Sequence, residues 1–184
     1  MTENAPYEVT GHLGTIELRR YPALRVAQVS GLYANEAFWH LFRYITGNNR
    51  VKQKIAMTAP VISSEQIGLT PPVVTSSVTE TIPVVSETGT MSFVLPSIYA
   101  TEDPPDPLDP VVRLGSIPER DVAVVQFKGR ANRTEIEDET ATLLLILGEN
   151  GILPIGQPFL MQYDPPMVPG FLRRNEIGIQ IPHR

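Results

Sequence analysis

Five side chains of this sequence could hold a metal or an anion: His40, Arg43, Lys54, Met57 and Met161. His40 and Arg43 continue a helical stripe that starts at Glu36, with spacing i, i+4, i+7. An imidazole so placed could ligate iron through one nitrogen while the Glu36 carboxylate orients the other. The opposite stripe, Phe38, Leu41, Phe42 and Ile45, is apolar, so the same pattern also describes a solvated helix face above a buried one. A thioether from Met57 or Met161 could be an axial iron ligand, and methionine equally fills irregular gaps in a core. Arg43 and Lys54 could hold carboxylates at the mouth of an apolar slot, or stand in water as most charges do. His12 sits in a glycine-flanked turn and His183 in the tail.

Other chemistry finds little support. Hydrolysis needs a nucleophile with a base, or paired carboxylates in a cleft, and here the acids crowd at helix starts and in proline loops. No glycine-rich phosphate loop precedes a helix. The chain has 0 cysteines, which removes disulfides, thiolate catalysis, Fe–S clusters and thiolate-bound iron together. A net charge of −5 argues against a nucleic-acid partner, although the 15 basic residues are unevenly placed. No apolar run approaches the roughly 20 residues of a membrane span. The polar start and the lack of cysteine predict a cytoplasmic protein.

The elements that must position these residues are written as a repeat. Setting Pro22 against Pro118 (118 − 22 = 96) aligns IELRRYPALRVAQV, residues 16–29, with VRLGSIPERDVAVV, residues 112–125. Leu18 then faces Leu114, Val26 faces Val122, Ala27 faces Ala123 and Val29 faces Val125. Each copy reads as strand, proline turn, strand, and each is followed by a helix. The first helix is expected over 35–47, capped by Asn35 and ended by Gly47. The second is expected over 134–148, with Thr134 and Glu137 as a capping box and Ile136, Leu143, Leu144 and Leu147 facing inward. Further strands follow at 54–61, 91–95, 159–163 and 176–181. In KIAMTAPV, 54–61, the alternation puts Ile55, Met57, Ala59 and Val61 on one buried face. Residues 66–87 read as an irregular excursion. TEDPPDPLDP, 101–110, reads as a linker, because prolines lack backbone donors.

KIAMTAPV, together with YDPPM at 163–167 and RRNEIGI at 173–179, resembles the SOUL/heme-binding protein family, small proteins associated with heme and other tetrapyrroles. The resemblance runs from about residue 7 to 181. It implies an α+β fold: a distorted antiparallel β-barrel of about eight strands with two flanking helices, built from two pseudo-twofold repeats. The single domain then divides into a repeat at about 7–98, the linker at about 101–110 and a repeat at about 111–181. It also implies heme or another tetrapyrrole as ligand, with His40 as candidate axial ligand and Arg43 among the propionate contacts. Arg43 matches a basic family position in the LFRYITG pattern, ahead of the Gly47 that ends the helix; other basic contacts of the family fall on non-basic positions here, near Asn35 and Val168. The expected function is a tetrapyrrole carrier, buffer or sensor. The alternatives are a tetrapyrrole-modifying, dechelatase-like enzyme and a small-molecule or protein-binding module resembling the effector-binding domains of transcription regulators.

Overall fold

A computed structural model describes residues 3–64, 89–164 and 167–183. The excursion expected at 66–87 and the double proline of YDPPM lie outside them. In chain order the elements are β1 (Glu3–Asn4), β2 (Glu8–Leu13), β3 (Ile16–Tyr21), β4 (Leu24–Leu32), α1 (Ala34–Ile45), β5 (Thr58–Ala59), β6 (Val61–Ser64) and β7 (Gly89–Val94). Then come β8 (Arg113–Ile117), β9 (Arg120–Lys128), α2 (Arg133–Glu149), β10 (Ile155–Gln162) and β11 (Arg174–Ile181). The fold is α+β, two helices on a nine-stranded antiparallel sheet of order β2-β3-β9-β11-β10-β6-β7-β4-β8, with β1 and β5 as a small separate parallel pair. The expected barrel does not close: among the described residues the edge strands β2 and β8 do not pair with each other.

The hairpins expected from the repeat are exchanged. β3 pairs with β9 and β4 with β8, so the two strands joined by each proline turn separate instead of pairing. Tight two-residue hairpin turns need a positive φ at the first central position, and proline holds φ near −65°. Pro22 and Pro118 therefore send the chain onward to a different partner strand.

The helices begin where their backbone donors find partners. α1 starts one residue early, with Tyr33 as its cap and the Ala37 N–H closing the first turn on the Tyr33 carbonyl at 2.9 Å, so Asn35 lies inside the helix. Gly47, at φ 119°, ends it as expected. α2 is capped two residues upstream of the expected Thr134. The Glu135 N–H donates to Asn132 Oδ1 at 3.0 Å, and Glu135 Oε2 accepts from the Asn132 N–H at 3.1 Å. Glu137 is instead held by Arg133 at 2.8 Å. The strand expected over 54–61 is broken. Residues 54–57 are irregular, Pro60 offers no ladder donor between β5 and β6, and from Thr58 to Ser63 both faces are buried, so the alternation ends.

Three apolar clusters hold these pieces. α1 contributes Ala37, Leu41 and Ile45 to one with Ala27, Val29 and Phe93 of the sheet, and Phe38 and Phe42 pack at its edge. α2 contributes Ile136, Leu143 and Leu147 to a second with Val125, Ile177 and Ile179; Leu144 is only half-buried and Thr140 takes the inner place. Alternate residues of the same strands, Val26, Val94, Val124 and Phe159, meet in a third cluster between the two halves. The linker is pinned to the end of α1: Tyr44 donates its hydroxyl to the Pro105 carbonyl at 2.9 Å, and the Arg50 N–H to that of Asp106 at 2.9 Å.

Candidate ligand cleft

A cleft of about 200 Å³ opens where α1, the β5–β6 segment, β7 and the β10–β11 turn converge. Phe38, Met57, Val61 and Met91 form its apolar wall; Thr58, Gln162, Tyr163, Asp164 and Arg173 supply the polar groups. Phe38 comes from the inner stripe of α1 and packs on Phe42 and Phe93 at centroid distances of 5.8 and 5.5 Å. The register sets β6 between its neighbours, with Val61 opposite Phe93 on one side and Gln162 on the other. The turn beyond β10 is held by the Arg174 N–H, which donates to Asp164 Oδ2 at 2.6 Å, and by Arg173 Nε, which donates to the Val168 carbonyl at 2.8 Å.

Thr58 stands apart. It is 3% exposed, its Oγ1 has no hydrogen-bond partner among the described residues, and it lines the cleft. A buried hydroxyl without a partner is costly unless something else supplies one.

Behind the cleft lies a buried charged cluster. The Tyr163 hydroxyl donates to Glu176 Oε2 at 2.6 Å, and Arg19 reaches the same carboxylate with two nitrogens at 2.7 and 3.0 Å. The Tyr7 ring lies over the Arg19 guanidinium at 4.1 Å. Burial alone would raise the Glu176 carboxyl; hydrogen bonds from Arg19, Tyr163 and Arg174 outweigh it and hold the group below its ordinary range. Burial, and then the charge of Glu176, push the Tyr163 phenol far up, so it stays a hydrogen-bond donor.

Of the five candidate ligand residues His40, Arg43, Lys54, Met57 and Met161, Met57 lines the cleft and the others do not. Met161 is 1% exposed in the central cluster, where its sulfur accepts from the Tyr21 hydroxyl at 3.9 Å. Met57 lies in irregular chain and Met161 within β10. His40 Nδ1 lies 2.6 Å from Asp109 Oδ2, so the linker's carboxylate, rather than Glu36, is its partner. Burial would raise Asp109; the His40 contact and the Val111 N–H overcome this and lower it. Arg43 and Lys54 are exposed, outside the cleft lining. Glu176 pairs with Arg174, but its main partner is Arg19, 157 residues away. Sequence reasoning missed Thr58 and the rim position of Arg173. The first had a signal in the lone hydroxyl of IAMTAPV, and the second lay inside the RRNE signature.

Among the described residues no group of three or more His, Cys, Asp and Glu could hold a metal ion, and no helix is long and apolar enough to cross a membrane.

The sequence model of a family described as SOUL heme-binding protein matches residues 2–180. Heme-binding protein 2 of Homo sapiens is 32% identical over 153 residues, covering 80% of this chain and 68% of that protein. Heme-binding protein 2 of Mus musculus is 31% identical over the same length. Among solved structures, the EcmrR C-terminal domain is similar with a TM-score of 0.59 at 12% identity, covering 97% of this chain and 99% of that one. A hydrolase from Listeria innocua gives a TM-score of 0.62 at 13% identity, covering 91% of each chain. At such identities these two share the fold alone.

Proposed function

This chain belongs to the SOUL heme-binding protein family, and we propose that it binds heme or a related tetrapyrrole in the cleft between α1 and the β10–β11 turn, as a carrier or buffer. The observation that carries this reading is the composition of the cleft: an apolar wall, an unpartnered buried hydroxyl at Thr58 and a cation, Arg173, at the rim. A tetrapyrrole is an apolar disc with carboxylates at one edge, and these groups answer both parts. Arg43 and Lys54 join the proposal as exposed cations on α1 and on the chain leading to Met57.

The size of the cleft favours exchange over permanent capture. At about 200 Å³ it is smaller than the ~300–1,000 Å³ of sites that enclose their ligands, so the disc would keep an exposed edge. Burying roughly 500 Å² of apolar surface at about 25 cal/mol per Å² supplies about 12 kcal/mol; about 4 kcal/mol lost to association leaves roughly micromolar binding. Nearby acids are already engaged, Asp164 by the Arg174 N–H and Glu176 by Arg19, Tyr163 and Arg174, which supports binding over turnover.

Titration with hemin and with iron-free protoporphyrin tests this. Saturable micromolar binding of both is expected, with Arg173→Ala weakening each about ten-fold and sparing a porphyrin whose propionates are esterified. No saturable binding of either would overturn it.

A second reading, coordination by His40, is favoured by one contact. A carboxylate that holds Nδ1 fixes an imidazole and leaves Nε2 for a metal.

We also infer that the two halves are copies of one unit. The pair Val26↔Gly115 of β4–β8, moved by 96 positions (26 + 96 = 122; 115 − 96 = 19), becomes Arg19↔Val122 of β3–β9. Every other β4–β8 pair maps in the same way. Exchanging β3 with β8, β4 with β9, β7 with β11 and β6 with β10 leaves their order in the sheet unchanged. Superposition of the halves in an experimental structure checks this; unrelated positions for 16–29 and 112–125 would refute it.

A further inference from the structure

Beside the cleft mouth the chain exposes apolar side chains that the binding reading does not use. The turn between Asp164 and Arg173, both of which line the cleft, carries Met167 at 90%, Phe171 at 73% and Leu172 at 54% exposure. Its last residues, 169–173, are braced. The Gly129 N–H donates to the Arg173 carbonyl at 3.2 Å, Asn175 Nδ2 donates to the Gly129 carbonyl at 2.9 Å, and the Leu172 N–H closes on Pro169 at 2.9 Å. Arg130 lies over Gly170 so closely that a β-carbon there would sit 2.5 Å from its Cγ. The β9–α2 turn and the β10–β11 turn therefore form one end of the molecule.

That end also carries cations. Lys128, Arg130, Arg133, Arg173 and Arg174, five of the 15 lysines and arginines of a chain with net charge −5, lie in these two turns and the residues flanking them. Lys128 and Arg130 are exposed, and Lys128 stands opposite Arg174 in the β9–β11 ladder. Of the acids nearby, Glu135 is engaged in the cap of α2, Glu137 by Arg133, Asp164 by the Arg174 N–H and Glu176 by Arg19 and Arg174, while Asp138 is exposed on α2. Exposed large apolar side chains beside exposed cations such as Lys128 and Arg130 are the chemistry of an interfacial lipid contact.

We propose that this end of the molecule docks on an anionic lipid bilayer, with Met167, Phe171 and Leu172 entering the headgroup boundary and Lys128 and Arg130 meeting the lipid charge. Docking turns the mouth of the cleft toward the phase in which an apolar ligand dissolves. That purpose rests on the tetrapyrrole reading; the surface itself does not.

Sedimentation with vesicles tests it, using phosphatidylcholine alone and a 3:1 mixture of phosphatidylcholine and phosphatidylserine, without porphyrin. The parent protein is expected to sediment with the anionic vesicles and to be released at about 0.5 M salt. Phe171→Ser with Leu172→Ser, and separately Lys128→Glu with Arg130→Glu, should each reduce the bound fraction five-fold or more. None of these four residues lines the cleft, so hemin titration of both variants in solution should match the parent. Failure of the parent to sediment, or equal sedimentation of parent and variants, overturns the docking. So does a parent dimer dispersed by the Phe171 and Leu172 changes, which would assign the patch to a second copy of this chain. Vesicle binding without hemin binding would instead refute the tetrapyrrole reading and leave the docking standing.

Discussion

Arg19 and Glu176 stand 157 residues apart in the chain and meet through two hydrogen bonds of 2.7 and 3.0 Å, with neither side chain exposed. β3 and β11 both pair with β9, one on each side, so the ion pair spans the central strand of that half of the sheet.

Removing one partner strands a charge. Arg19→Met is expected to cost about 3–5 kcal/mol in denaturant unfolding at pH 7. In the parent, the Glu176 carboxyl is held below its ordinary 4.5. Its contribution is therefore complete above that pH and is lost as acid carries the group through its lowered value. Without Arg19, only the hydrogen bonds of Tyr163 and Arg174 still oppose burial, so the carboxyl moves up and the stability gained as pH rises through its titration shrinks. Unfolding free energies from about pH 4 to 7 check this; parallel profiles for parent and variant would contradict it.

Thr58→Val removes the unpartnered buried hydroxyl while keeping the shape. The ligand-free protein should gain about 1 kcal/mol, a rise of about 2–4 °C in Tm. Hemin affinity should fall about three-fold or more if the hydroxyl meets the ligand. A destabilised variant would mean the hydroxyl has a partner in solution.

His40→Ala should shift the Soret band of bound hemin only if the imidazole coordinates the iron. Its stability cost, from loss of the Asp109 contact at 2.6 Å, is expected to be about 1–2 kcal/mol. Asp109→Asn separates the two roles, since it loosens the ring without removing Nε2. Unchanged spectra and affinity in both variants place the site in the cleft alone.

Gly178→Ala tests the central cluster. A β-carbon at Gly178 would lie 2.7 Å from Phe159 Cζ and 3.1 Å from Met161 Cε, both on strands that fix them. Overpacking of this kind costs about 1–3 kcal/mol. A variant as stable as the parent would show that the Phe159 ring yields freely.

The helix stripes were legible because they rest on local periodicity. Leu41, Ile45, Ile136, Leu143 and Leu147 all face inward as their spacing requires. Strand partnership was not legible, because nothing within residues 16–29 says whether β3 meets β4 or β9; only the conformational limit on Pro22 bears on it. The cleft was half-visible. Met57 stood out, whereas Arg173 and Thr58 acquire meaning only when the β10–β11 turn folds over the β5–β6 segment. His40 was correctly placed on the helix but given the wrong carboxylate, since Asp109 reaches it through the course of a linker that carries no periodicity.

The exchanged strands carry a consequence for how the chain holds together. Among the described residues neither half contains all of its own pairing partners: β3 finds its inner neighbour in β9, and β8 pairs with β4. The linker over 101–110 therefore acts as a tether that fixes the local concentration of each half around the other. Two peptides, 1–100 and 111–184, are expected to be unstable apart and to reassemble when mixed, with an affinity that the tether makes unnecessary in the intact chain. Two separate melting transitions in the whole protein would argue against this interdependence. A unit freed of its tether would seek the missing strand in another molecule of its own kind.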